Sequence, residues 1–78
     1  MFYAQVIYTD KKGAGCMRGF GSESKLIAFV EKLRRDAEIK NSRGESIGRV
    51  WKDEHDGNNG KWRWAFDPDA GLTVTANA

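Results

Sequence analysis

The sequence predicts an α+β fold, ββαββ in order, with one helix packed on a four-stranded antiparallel sheet; a short C-terminal strand would make five. Three observations predict it. Phe2–Thr9 alternates strictly, with Phe2, Ala4, Val6 and Tyr8 on one face and Tyr3, Gln5, Ile7 and Thr9 on the other. Leu26, Ile27, Phe29, Val30, Leu33 and Ala37 recur at helical spacing. Lys61–Phe66 interleaves Trp62, Trp64 and Phe66 with Lys61, Arg63 and Ala65. In a strand this places the three aromatic rings on one face and the basic side chains on the other.

The elements follow in order. Residues 2–9 combine β-branched and aromatic residues and form the first strand. Asp10–Gly15 is a turn by composition. Cys16–Phe20 returns as a hairpin partner, with Gly19 marking a bulge. Gly21–Ser24 opens the helix: Ser22 or Ser24 accepts from a free backbone N–H, and Glu23 suits the positive end of the dipole. The polar side of the helix carries Glu31/Arg35, Lys32/Asp36 and Arg34/Glu38 at i,i+4 spacing. The helix fades between Asp36 and Asn41, where Ile39 is also compatible with a short extra strand. Asn41–Glu45 is a polar connection. Ser46–Lys52 is the next strand, with Ile47 and Trp51 on one face and Val50 on the other. Asp53–Gly60 is a loop with two hairpin-turn dipeptides, Asp56-Gly57 and Asn59-Gly60. Asp67–Gly71 is a turn, and Leu72–Thr75 either adds the fifth strand or frays.

The 78 residues make one domain, with a core over 2–67 and a turn plus short strand or frayed tail over 68–78. A chain of this size buries only about 60% of its unfolded surface. With 31% charged and 40% hydrophobic residues it reads as globular and soluble. It has no apolar run near the ~20 residues that span a bilayer, so no membrane association is expected. The first residues are strand-like, without a basic segment leading an apolar one, which predicts a cytoplasmic protein without a secretory signal. Cys16, alone, cannot form an internal disulfide, in keeping with a reducing compartment.

Several chemical motifs fail on inspection. Gly13-Ala14-Gly15 continues to Arg18 where a dinucleotide loop needs glycine, and no P-loop lysine follows a glycine run. Arg18-Gly19-Phe20-Gly21 matches the first four positions of the RNP1 motif, but Ser22-Glu23 replaces its aromatic continuation. Asp53–Asn59 is rich in oxygen ligands yet has His55 and Gly57 where a calcium loop needs carboxylates or amides. One histidine and one cysteine supply no zinc set. No cofactor, metal or catalytic set is expected, so the chain is read as a binding protein, not an enzyme.

The net charge is +2, below what marks a nucleic-acid domain. Basic residues fall in two groups: Lys32, Arg34, Arg35, Lys40 and Arg43 near the helix exit, and Arg49, Lys52, Lys61 and Arg63 on the second hairpin. Arg49, Lys61, Arg63, Tyr3, Arg34 and Arg35 are the candidate partner-binding residues, since arginine and tyrosine concentrate at binding hot spots. In size, composition and architecture across the whole chain, this domain with a charged, aromatic-bearing outer face resembles small accessory proteins of phages and mobile elements, the anti-CRISPR proteins in particular. The resemblance implies a stoichiometric inhibitor that docks on a nuclease or CRISPR-Cas surveillance complex and blocks nucleic-acid access. A nucleic-acid binder using the basic surface is the alternative. A monomer or a homodimer paired through a strand edge are both compatible with the pattern.

Overall fold

The computed structural model describes residues 2–54 and 60–76. Strands β1 (Ala4–Thr9) and β2 (Gly15–Phe20) precede helix α1 (Glu23–Leu33), followed by β3 (Ala37–Asn41), β4 (Ser46–Asp53), β5 (Lys61–Phe66) and a 3-10 turn over Pro68–Ala70. The strands form one antiparallel sheet in the order β2-β1-β3-β4-β5. The α+β class and the helix-on-sheet arrangement match the sequence expectation. The extra strand is β3, at the position where Ile39 left the helix boundary open, and not Leu72–Thr75.

Two turns of one kind close two of the antiparallel pairings, β1 with β2 and β3 with β4. In Asp10-Lys11-Lys12-Gly13 the Asp10 carboxylate accepts from Lys12 N and Ala14 N at 2.8 and 2.9 Å. In Asn41-Ser42-Arg43-Gly44 the Asn41 amide oxygen accepts from Arg43 N and Glu45 N at 2.9 and 3.0 Å. Each turn places a glycine at positive φ in its fourth position, Gly13 at 83° and Gly44 at 80°. A short polar side chain that bonds its own backbone followed by a left-handed glycine makes a tight hairpin favourable. Between these hairpins, β2 and β3 run parallel on either side of β1. No tight turn can join parallel strands, so α1 carries the chain across the sheet.

The helix is shorter than its pattern predicts. It stops at Leu33 because Arg34 takes the left-handed conformation, φ 50° and ψ 46°. Ala37–Asn41 then pairs with β1 and β4. Arg35, Asp36 and Glu38 therefore lie beyond the helix, and the expected i,i+4 charge pairs do not arise on it. Ser22 occupies the N-cap position but its side chain makes no cap bond; its hydroxyl meets that of Ser24 at 3.0 Å.

The core lies between α1 and the near face of the sheet. Leu26, Ile39 and Val6 are fully buried, and Val30, Val50, Trp64 and Phe66 join them. Trp64 and Phe66 rings pack at 5.4 Å, with Trp62 half-buried beside the cluster. The aromatic face of β5 thus points inward. Phe29 of α1 meets Tyr8 and Phe20 at 5.7 and 5.0 Å. Gly48 is opposite Phe66, whose ring lies where a Cβ would come within 2.7 Å. After Gly71, Leu72 returns to the core at 8% exposure. The tail beyond it makes a single bridge, Ala65 with Ala76, and Phe66 N donates to Thr75 O at 2.6 Å. Residues 72–75 are therefore an anchored tail, not a fifth strand. No helix among the described residues is long and apolar enough to cross a membrane. The two turn dipeptides expected within Asp53–Gly60 fall mostly on residues 55–59, outside the described residues.

Candidate functional site

Alternation along each strand sends one set of side chains to the face that no helix covers. The register aligns Met17, Ile7, Glu38, Arg49 and Ala65 in one row across all five strands. Trp51 and Arg63 sit opposite each other in the next row. This face bears an open trough of about 900 Å3 whose lining includes Ile7, Glu38, Arg49, Trp51 and Ala65.

Arg49 and Trp51 stand at i,i+2 on β4 and so share that face. The Arg49 guanidinium carbon lies 4.4 Å from the Trp51 ring centroid, within cation–π range. Near this stack two further cations face carboxylates. Lys40 Nζ is 3.3 Å from Glu38 Oε1. Arg63 Nε donates to Asp53 Oδ2 at 2.6 Å, with both side chains largely withdrawn from solvent. Beyond the trough, Arg43 faces Glu45 at 3.0 Å and Lys52 faces Glu54 at 3.6 Å. Among the described residues no group of three metal-ligating side chains occurs.

The six residues singled out in the sequence do not converge on one place. Arg49 and Arg63 share the uncovered face, but Arg63 is engaged with Asp53. Tyr3 lies at the other side of the same face, over Gly19, and its hydroxyl accepts from Gln5 Nε2 at 3.1 Å. Lys61 begins β5 opposite Asp53 and, with Arg34, borders a separate recess of about 320 Å3 that Glu31, Gly60 and Trp62 complete. Arg35 lies in the short link between α1 and β3 and lines neither hollow.

Sequence reasoning missed Glu38, assigned to a helix face, and Ile7, read only as a second-face residue of its strand. The Arg49-x-Trp51 spacing was the available signal for the stack. It also missed what Glu23 does. Its carboxylate accepts from Thr73 Oγ1, Thr73 N and Val74 N at 2.6, 2.7 and 3.3 Å, which clasps the tail to the start of α1. The Thr73 hydroxyl hydrogen bond, aided by the two backbone amides and opposed by partial desolvation, holds the Glu23 carboxyl below its ordinary value.

Comparison with known proteins finds no matching family model, no matching curated protein and no matching solved structure.

Proposed function

We propose that this chain is a non-enzymatic binding protein that docks its uncovered sheet face on a protein partner and acts one-to-one. The observation that supports this most is the Arg49–Trp51 stack at 4.4 Å in a trough edged by Ile7 and Ala65. Tryptophan and arginine are the residue types that carry most binding energy at protein interfaces. The trough is open and sheet-wide, a shape suited to a protein surface and poor at enclosing a small ligand. The neighbouring cations Lys40 and Arg63 already face carboxylates. A nucleic-acid surface works in the opposite way, by presenting unmatched cations to phosphates.

Within this reading the partner is a cytoplasmic nucleic-acid-processing complex, a CRISPR-Cas complex or nuclease first, whose nucleic-acid entry the docked domain obstructs. That choice rests on the likeness to anti-CRISPR proteins in size and architecture. The test is co-migration with purified complexes of this kind, using the native chain, Arg49→Glu, Trp51→Ala and Arg34→Glu. Arg49→Glu and Trp51→Ala lose the complex while Arg34→Glu retains it. Equal binding by all four proteins removes the trough from the site. Anisotropy with single- and double-stranded DNA and RNA at low salt gives no binding. A salt-sensitive signal lost in Arg34→Glu moves the site to the recess by Lys61 and makes the protein a nucleic-acid binder.

A further inference from the structure

The sheet has two edges, and the described residues cover only one. Along β5 the tail runs beside the C-terminal end of the strand, through the Phe66–Thr75 bond and the Ala65–Ala76 bridge. β2 is the other edge strand. It contains no proline and no lysine, the residues that natural proteins place on such strands to prevent pairing. Its one charge, Arg18, folds back over the Phe20 and Phe29 rings at 5.8 and 5.2 Å on the helix side.

The hydrogen-bond phase of β2 follows from its hairpin. Asp10 N donates to Ala14 O at 2.9 Å, so Asp10 and Ala14 are a bonded pair. Bonded and non-bonded pairs alternate along an antiparallel ladder. Cys16, Arg18 and Phe20 therefore bond to β1, and the N–H and C=O groups of Gly15, Met17 and Gly19 point out of the sheet edge.

These three residues are symmetric about Met17. From this we infer that β2 pairs antiparallel with β2 of a second copy, with Met17 on the two-fold axis. Met17 then exchanges both backbone bonds with the partner's Met17, and Gly15 does so with the partner's Gly19. The side chains agree with the backbone. Directly opposed residues share a face, so the two Met17 side chains meet on the uncovered face with only glycine on either side. Met17 is 63% exposed and Tyr3 is 41% exposed, and both lie along this seam. Tyr3 covers its own Gly19, and the pairing sets the partner's Gly15 next to that ring. Gly15 has open space above it. The pairing thus shelters two of the large exposed hydrophobic residues, joins the sheets, and presents both Arg49–Trp51 troughs on one side.

Light scattering on the full chain from micromolar to millimolar concentration tests this. The mass rises from the 8.8 kDa of one chain toward twice that value. Met17→Lys, which opposes two like charges on the axis, stays at one chain with an unchanged circular dichroism spectrum. Met17→Pro does the same, because the N–H it deletes serves only the partner. Met17→Cys in a Cys16→Ser background forms a covalent dimer on mild oxidation, since bonded pairs hold their Cα atoms about 5.5 Å apart, within disulfide reach. A single-chain mass at millimolar concentration, or a dimer indifferent to Met17→Lys, overturns the pairing. If the substituted chains unfold, the cross-link decides alone: its absence overturns the pairing and its formation supports it. Each measurement uses this chain by itself, so its outcome is separate from that of the trough.

Discussion

On the face of the sheet beneath α1, Ala4, Val6, Ile39, Val50, Trp64 and Phe66 are each exposed by 4% or less. The opposite face of the same strands carries Glu38, Lys40, Arg49, Trp51, Asp53 and Arg63, one residue out of step. On the first face, burial of apolar surface dominates, and among the described residues no polar or charged residue is buried. On the second face, polar groups are held in place by one another: Lys40 by Glu38, Arg63 by Asp53, Arg49 by Trp51. A small domain can leave such a face uncovered because antiparallel sheets tolerate one solvated side. The difference teaches where to look for binding. The helix-side aromatics are occupied with folding, whereas Trp51 is half-buried on the uncovered face and lies outside the core cluster.

Exchanging indole for methyl on each face tests this contrast most severely. Trp64→Ala removes a buried ring and leaves a cavity, a loss of about 3–5 kcal/mol. Domains of this kind are stable by about 5–15 kcal/mol. Urea unfolding of the Trp64 variant therefore shows a midpoint shifted far down or no folded baseline. Trp51→Ala behaves in reverse. Its loss of stability stays well below that of Trp64→Ala, because the ring is only half-buried and lies outside the core cluster. Its loss of partner affinity reaches about 2 kcal/mol or more, the threshold of a hot spot. If Trp51→Ala destabilises as severely as Trp64→Ala, the second face is a core and the comparison fails.

The two faces were not equally legible in the sequence. The inner one could be read because its signals are local: period two in Phe2–Thr9 and Lys61–Phe66, and helical spacing in Leu26–Leu33. The outer one depends on β3, which the sequence conceals. Arg34, Arg35, Asp36, Ala37 and Glu38 are all compatible with a helix, and their charges even mimic i,i+4 pairs. What ends the helix is Arg34 in a left-handed conformation, a role usually given to glycine. Pairing of Ala37–Asn41 between two strands then outweighs local propensity. Without β3, Glu38 cannot be placed opposite Arg49, so the trough cannot be assembled. The Arg63–Asp53 bond depends on the exact register of the β4–β5 hairpin, and the Glu23 clasp joins residues 50 apart; neither has a periodic signature. They were invisible for that reason.

The Arg63–Asp53 pair sharpens the comparison at intermediate cost. With side chains 27% and 18% exposed, it sits between the buried and solvated extremes. Asp53→Ala leaves a half-withdrawn guanidinium without its carboxylate and lowers stability by about 1–2 kcal/mol, less than any large core truncation. Arg63→Met leaves the Asp53 carboxylate, the more withdrawn partner at 18% exposure, without this arginine and costs at least as much. Chemical denaturation of both variants checks the order. If Arg63→Met costs clearly less than Asp53→Ala, the carboxylate does not depend on this arginine and the ion pair is not what holds that corner.

The mildest effect concerns the tail, which borders both faces at the β5 edge. Glu23 has its carboxyl pKa lowered in the folded chain. A depressed carboxylate contributes stability that is fully present above its unfolded-state pKa and is lost as pH falls through the folded value. The tail contacts at Thr73 and Val74 therefore loosen only in acid, below the ordinary range of a glutamate. Because the group lies at the surface, solvent screens the effect, and global unfolding barely registers it. Amide hydrogen exchange at Thr73 and Val74 does register it: protection falls on acidification in the native chain. In Glu23→Ala it is low at every pH, while Val6 and Ile39 amides, on the central strands, stay protected in both proteins. The same variant tests the asymmetry of the two edges. With the clasp gone, the C-terminal end of β5 becomes a second open edge, and self-association at high concentration increases. If association is unchanged while Thr73 exchanges freely, the bond from Phe66 to Thr75 and the burial of Leu72 are enough to keep that edge closed.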